Sequence, residues 1–176
     1  VIPAEDVFIA TDSVLIKKHC QDFNANILMT DKSCLTGTDR VAEASKHIKC
    51  DVVINVQGDE PIINPLDIKK VVEASRKYPG EIINGMATIE NKEEFFNPSI
   101  PKVVTRLDGK LLYMSRGAIP TTKKLGFKKA KKQICIYAFP VNLLKKFANE
   151  ESKTPLEELE DIEILRFLEM GFDIRM

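Results

Sequence analysis

Two rhythms of apolar residues run through the first half of the chain. Short runs at Asp6-Val7-Phe8-Ile9-Ala10, Asn26-Ile27-Leu28-Met29-Thr30 and Val52-Val53-Ile54-Asn55-Val56 are rich in branched side chains and read as strands. Each is followed by residues with helical spacing: 14–21, then from Thr38 or Asp39 as cap to Ile48, then 66–77. In the second of these helices Val41, Ala44 and Ile48 recur at i, i+3 and i+7. In the third, Ile68, Val71 and Val72 supply the buried face. The order β-α-β-α-β-α predicts a mostly parallel sheet with helices on its faces. The run 52–56 is expected to be a central strand buried on both faces.

The pattern changes after residue 80. Ile82 to Ile89 reads as a strand and 92–96 as a short helix. Two strand-like runs, 102–107 and 111–115, flank Asp108-Gly109, a strong hairpin signal. A strand over 133–139 ends at Pro140, and Leu143, Leu144 and Phe147 mark another short helix. The last helix opens with the capping box Thr154-Pro155-Leu156-Glu157 and closes at Gly171. Leu156, Leu159, Glu163, Phe167 and Met170 share one stripe of it at about 100° per residue. That stripe sets Glu163 in an apolar face with Arg166 as its expected partner, or else in contact with a ligand. The fold class expected is α/β: a three-layer α-β-α arrangement around a mixed, mostly parallel sheet with an inserted antiparallel hairpin. One domain over residues 1–176 is expected, with segments missing at both ends, since Ile174-Arg175-Met176 reads as the middle of a strand.

Charge and cysteines narrow the function classes. Lys+Arg 26 balance Asp+Glu 26, so no net field favours nucleic acid or an anionic membrane. The cluster Lys123, Lys124, Lys128, Lys129, Lys131 and Lys132 has only Phe127 among it and reads as a solvated connection. No apolar run approaches the roughly 20 residues that span a bilayer. Cys20, Cys34, Cys50 and Cys135 are widely spaced, and only His19 and His47 accompany them. A zinc site is not expected; reduced thiols in a cytoplasmic protein are, with Cys50 and Cys135 in the core.

Three places can carry chemistry. Gln57-Gly58-Asp59-Glu60-Pro61 puts two carboxylates at the carboxyl end of the strand 52–56, the edge where open α/β sheets bind ligands. Such hard oxygen donors suit Mg²⁺ beside substrate phosphates; a solvated turn is the plainer alternative. Thr36-Gly37-Thr38-Asp39-Arg40 opens a helix whose N–H groups can hold an anion or a polar ring edge, or be no more than a cap beside a surface arginine. Arg116, after Ser115 at the hairpin's end, is suited to bidentate capture of a carboxylate or phosphate, or to a surface ion pair; Lys102 is a weaker candidate of the same kind.

Together with Ala10-Thr11-Asp12, Tyr113-Met114-Ser115-Arg116, Ile119-Pro120, Ile136-Tyr137, Pro155-Leu156-Glu157 and Glu163-Ile164-Leu165-Arg166, these motifs resemble the CMP-Kdo synthetase (3-deoxy-manno-octulosonate cytidylyltransferase) family over nearly the whole chain and in the family's order. The resemblance implies a nucleotide-diphospho-sugar transferase fold, usually dimeric, in a cytoplasmic enzyme of lipopolysaccharide biosynthesis. It implies coupling of CTP to a sugar acid with Mg²⁺ and release of pyrophosphate. By the same resemblance Asp59 is catalytic and binds Mg²⁺. Thr36, Gly37, Thr38 and Arg40 surround the cytidine, and Gln57, Tyr137, Glu163 and a catalytic Arg116 line the sugar-acid pocket.

The chain departs from the family at several points. Cys34-Leu35-Thr36 stand where the family has His-Gln-Ser, Gln133 where it has His, Cys135 where it has Gly, and Ile164 where it has Gln. Gln133 and Ile164 fall where the family holds its sugar, which leaves a related sugar acid open as substrate. The family's triphosphate loop and its second metal-binding segment are absent from this sequence, so little turnover is expected of residues 1–176 alone. A same-fold transferase for another sugar or nucleotide, and a non-catalytic nucleotide binder, are the alternatives.

Overall fold

The structure is a computed structural model that describes residues 2–58 and 60–176. In chain order its first elements are β1 (Phe8–Thr11), α1 (Val14–Gln21), β2 (Asn26–Met29), α2 (Gly37–Ser45), β3 (Val52–Val56), α3 (Pro65–Lys77) and β4 (Ile82–Thr88). Then follow α4 (Lys92–Phe96), β5 (Lys102–Thr105), β6 (Leu111–Ser115), β7 (Lys131–Pro140), α5 (Val141–Phe147), α6 (Pro155–Glu160), α7 (Ile164–Glu169) and β8 (Ile174–Arg175). The mixed α/β architecture read from the sequence is present. The chain forms two compact units, Val1–Val53 with Val141–Ser152, and Ile54–Pro140 with Lys153–Met176.

In the first unit β1 and β2 pair in parallel, with Phe8 opposite Asn26 and Thr11 opposite Met29. Ser13 caps α1 by accepting from the Ile16 amide at 3.3 Å. The cap of α2 is Thr36, whose hydroxyl accepts from the Asp39 amide at 3.2 Å, not Thr38 or Asp39 as the spacing suggests. Gly37 and Thr38 already lie in the first helical turn, and Thr38 is buried. The buried side of α2 is carried by Ala42, Ala44 and Ser45 and packs on α5, where Leu144 and Phe147 are fully enclosed.

The second unit is built on a sheet in the order β6-β5-β7-β4-β8, with β3 also paired to β7. The expected hairpin is present: β5 and β6 run antiparallel, joined through Gly109 at φ 85°. The long β7 is antiparallel to β4 and β5, while β4 and β8 are parallel. Its core is apolar, with Ile82, Met114, Phe139, Leu165, Phe167 and Ile174 all fully buried. Stacked rings run from Tyr137 through Phe139 to Phe167.

Two sequence expectations are corrected. The strand 52–56 is not buried on both faces: only Asn55 is buried, and Val56 is exposed. Its β-branched composition reflects strand geometry more than double burial. The last helix is not continuous. It breaks into α6 and α7 at Asp161, which takes the left-handed conformation (φ 50°), and Leu159 on the supposed buried stripe is 80% exposed. Arg166 pairs with Glu157, at 2.6 and 2.7 Å with both side chains enclosed. Arg116 supplies the local reason for the break. Its Nε donates to the carbonyl of Glu160 and its Nη2 to that of Asp161 (2.9 Å), so these two carbonyls have donors without a continuing helix.

Candidate functional site

In the first unit the loops after β1 and β2 meet the N-terminus of α2. Arg40, one turn into α2, donates from Nη1 to the Thr30 hydroxyl at 2.6 Å and to the Asp31 carbonyl at 3.4 Å. Its Nη2 reaches Asp12 Oδ2 at 3.2 Å. Thr30 in turn donates its amide to the Thr11 carbonyl at 3.0 Å. One guanidinium therefore ties together the carboxyl ends of two parallel strands, the edge at which α/β sheets present ligands. The Thr36 hydroxyl donates to Asp39 Oδ2 at 2.6 Å while accepting the Asp39 amide, which holds the loop before α2 closed on the helix. Thr36, Gly37, Thr38 and Arg40 thus lie together at the start of α2.

Glu43 braces the same loop from one turn further along α2. Its carboxylate accepts the Asp31 amide at 2.9 and 3.1 Å and the Cys34 thiol at 3.0 Å. Burial first, then the Glu43 hydrogen bond and charge, push the Cys34 thiol up to about 11. An open groove of about 260 Å³ runs beside it, lined by Cys34, Asp39, Glu43, Lys46, Glu150 and Glu151 among others. Four carboxylates against one lysine make that groove a poor seat for a polyphosphate.

In the second unit the site residues cluster on β7 and at the end of β3. The Gln57 amide donates to the Cys135 carbonyl at 3.3 Å, and the Glu60 amide donates to the Gln57 carbonyl at 3.3 Å. Asp59, the expected metal ligand, lies outside the described residues. Among the described residues no group of three or more His, Cys, Asp or Glu could hold a metal ion. Gln133 and Tyr137 touch: the Gln133 carboxamide donates to the tyrosine oxygen at 3.2 Å. It also donates to Asn84 Oδ1 at 3.0 Å.

Asn84 went unnoticed in the sequence. It sits on β4 at a register shift, where Asn84 faces Tyr137 but Gly85 faces Ile134. Its carboxamide nitrogen donates to the Ile134 and Ile136 carbonyls at 3.0 and 3.1 Å. A Cβ on Gly85 would meet Ile134 at 3.2 Å, so the missing side chain permits the close approach. The available signal was that isolated glycine inside an apolar strand pattern.

Arg116 is held by the chain's own carbonyls. Besides Glu160 and Asp161 it reaches the Pro98 carbonyl at 3.2 Å. Its backbone amide donates to Glu160 Oε2 at 2.9 Å, and Glu160 Oε1 accepts from Ser115 (2.7 Å) and Tyr113 (3.1 Å). Burial pushes the Glu160 carboxyl up, but these hydrogen bonds outweigh it and leave its pKa below the ordinary value. Lys102 is fully buried, and its ammonium donates to the carbonyls of Asn97, Ile100 and Arg116 at 2.9, 2.7 and 2.6 Å. Burial, then the Arg116 charge, lower its pKa. Glu163 is half-buried and opens α7 on the segment that Arg116 grips.

Residues 1–174 match the family model described as cytidylyltransferase. A 3-deoxy-manno-octulosonate cytidylyltransferase of Elusimicrobium minutum is 39% identical over 96% of this chain and 71% of its own length. An 8-amino-3,8-dideoxy-manno-octulosonate cytidylyltransferase of Shewanella pealeana is 36% identical over 98% of this chain and 72% of its own. Among solved structures, a CMP:2-keto-3-deoxy-manno-octonic acid synthetase complexed with CTP superimposes with a TM-score of 0.87 at 30% identity, covering 96% of this chain and 70% of that one.

Proposed function

The chain belongs to the cytidylyltransferase family, and we propose from that premise that it couples CTP to a 3-deoxy-octulosonate-type sugar acid and releases pyrophosphate. The observation that carries this reading is the likeness, at a TM-score of 0.87, to a synthetase whose structure holds CTP. In the reaction the anomeric oxygen of the sugar acid bonds to the α-phosphorus and the bond to the β-phosphate oxygen breaks. The proton of the anomeric hydroxyl passes to water, and pyrophosphate is the leaving group. Catalysis of such a step is mainly positioning and charge stabilisation.

In this reading the first turn of α2, with Thr36, Gly37, Thr38 and Arg40, takes the cytidine. That assignment follows the family resemblance of the Gly37-Thr38-Asp39-Arg40 motif. Gln57, Gln133, Tyr137 and Glu163 take the sugar acid. Arg116 acts by fixing the turn before Glu163, since its guanidinium contacts backbone carbonyls and the Asp161 carboxylate. We assign Mg²⁺ to Asp59, a hard oxygen donor of the kind that binds this ion together with phosphates. Bound there, the ion would neutralise negative charge on the triphosphate. A homodimer acting in the cytoplasm completes the proposal; among the described residues no helix is long and apolar enough to cross a membrane. The relative named for an 8-amino sugar acid favours a second reading, in which the substrate carries an amine in place of a hydroxyl.

The test is pyrophosphate release by the full-length protein with CTP, Mg²⁺ and each of the two sugar acids. Turnover is expected with CTP and not with UTP or ATP, and Asp59→Ala is expected to lower it at least about a hundredfold. Full rate in that variant would remove the metal role from Asp59. Equal turnover with all three nucleotides would remove the cytidylyl assignment.

A further inference from the structure

The register of β7 on β4 steps from Tyr137 opposite Asn84 to Ile134 opposite Gly85, with the shift around Cys135. The carbonyls on either side, of Ile134 and Ile136, are taken by the carboxamide nitrogen of Asn84, which is 1% exposed. That choice fixes which way the Asn84 amide points. Turned over, its oxygen would face two carbonyl oxygens at about hydrogen-bond distance, with no donor among the three. Asn84 Oδ1 must then point the other way, toward Gln133.

An amide oxygen there can only accept, so Gln133 must present its nitrogen. The two hydrogens of that nitrogen go to Asn84 Oδ1 at 3.0 Å and the Tyr137 oxygen at 3.2 Å. The carboxamide is planar, and its remaining polar atom is Oε1, which accepts no hydrogen bond among the described residues. The orientation of the Gln133 amide is therefore set two steps back, by backbone carbonyls that the strand bulge exposes.

Resting on the reading that Gln133 contacts the sugar acid, we infer that Asn84 is a positioning residue for that site and a determinant of what Gln133 binds. It locks Gln133 with its carboxamide oxygen as the group offered to the ligand. An oxygen acceptor meets a hydrogen-bond donor of the sugar acid, a hydroxyl or an ammonium, and not the acid's carboxylate.

The test measures KM for the sugar acid and for CTP in the wild type, Asn84→Ala, Gln133→Leu, the double variant and Gln133→Lys, with melting temperatures recorded alongside. Asn84→Ala and Gln133→Leu are each expected to raise KM for the sugar acid about tenfold with little change in KM for CTP. The double variant is expected to match Gln133→Leu alone, because Asn84 acts through Gln133. Gln133→Lys is expected to bind the sugar acid no better than Gln133→Leu. A lysine that restores affinity would mean that a carboxylate sits there, and would overturn the inference; so would additive effects in the double variant. If Asn84→Ala does not fold, the Gln133 variants leave the bulge intact and decide it: an unchanged KM in Gln133→Leu overturns it. Absence of wild-type turnover with any sugar acid would overturn the proposed function as well, whereas normal wild-type turnover with unaffected variants overturns this inference alone.

Discussion

Arg166 and Glu157 are the most consequential pair of side chains in the second unit, with relative side-chain exposures of 0% and 1%. Glu157 also accepts the Thr154 amide at 3.1 Å, so one carboxylate serves both a helix start and a buried guanidinium. Removing one partner leaves an uncompensated charge in the core. Arg166→Met is expected to destabilise the protein by about 3–5 kcal/mol, read by chemical denaturation, and Glu157→Leu added to it to restore part of the loss. Cys34 offers a second check at this scale. With its thiol pushed up to about 11, it is expected to react with iodoacetamide at pH 8 more slowly than glutathione does, and Glu43→Gln to quicken it. Peptide mass spectrometry reads both rates. Single residues were legible in the sequence where they opened an element, as Glu157 does. Glu43, Asn84 and Glu160 were not, because each acts on residues 9 or more positions away, and neither periodicity nor cap grammar records such contacts.

The break between α6 and α7 shows the same limit for an element. A stripe at helical spacing persists through 156–170, yet the backbone leaves the helix at Asp161 because Arg116, 45 positions earlier, takes its carbonyl. Glu169 then serves the N-terminus of α6 from outside, accepting the Leu156 amide at 3.0 and 3.1 Å and the Glu157 amide at 3.2 Å. Burial raises the pKa of Glu160 and of Glu169, but hydrogen bonds to each carboxylate prevail and hold both below the ordinary 4.5. A carboxyl whose pKa is lower in the folded state adds stability above its unfolded value and loses it as pH falls through the folded one. The stabilisation from these two groups is therefore expected to be complete above about pH 5 and to fade below 4.5. Thermal melts between pH 7 and 3 should show that fall, and Glu160→Gln should show a shallower one. By contrast the strands, the hairpin at Asp108-Gly109 and α1 to α5 were legible, because each is specified by its own residues.

For the whole molecule, the order of motifs was the most informative signal, and it led to the family that the comparisons establish. Each motif alone admitted a plain structural alternative; their order along one chain did not. What order cannot convey is how the chain divides. The first unit takes Val1–Val53 and then Val141–Ser152, so the helix α5 that covers α2 comes from the far side of an 87-residue excursion. A ribosome releases the chain from its N-terminus, and domains made of one continuous segment can fold as they emerge. Here α2 must wait for α5, by which time β3 to β7 have already left the exit. The second unit in turn lacks α6, α7 and β8 until the residues after Ser152 have emerged. Neither unit is able to finish ahead of the other by much, and a chain stalled near residue 140 carries two incomplete cores rather than one finished domain.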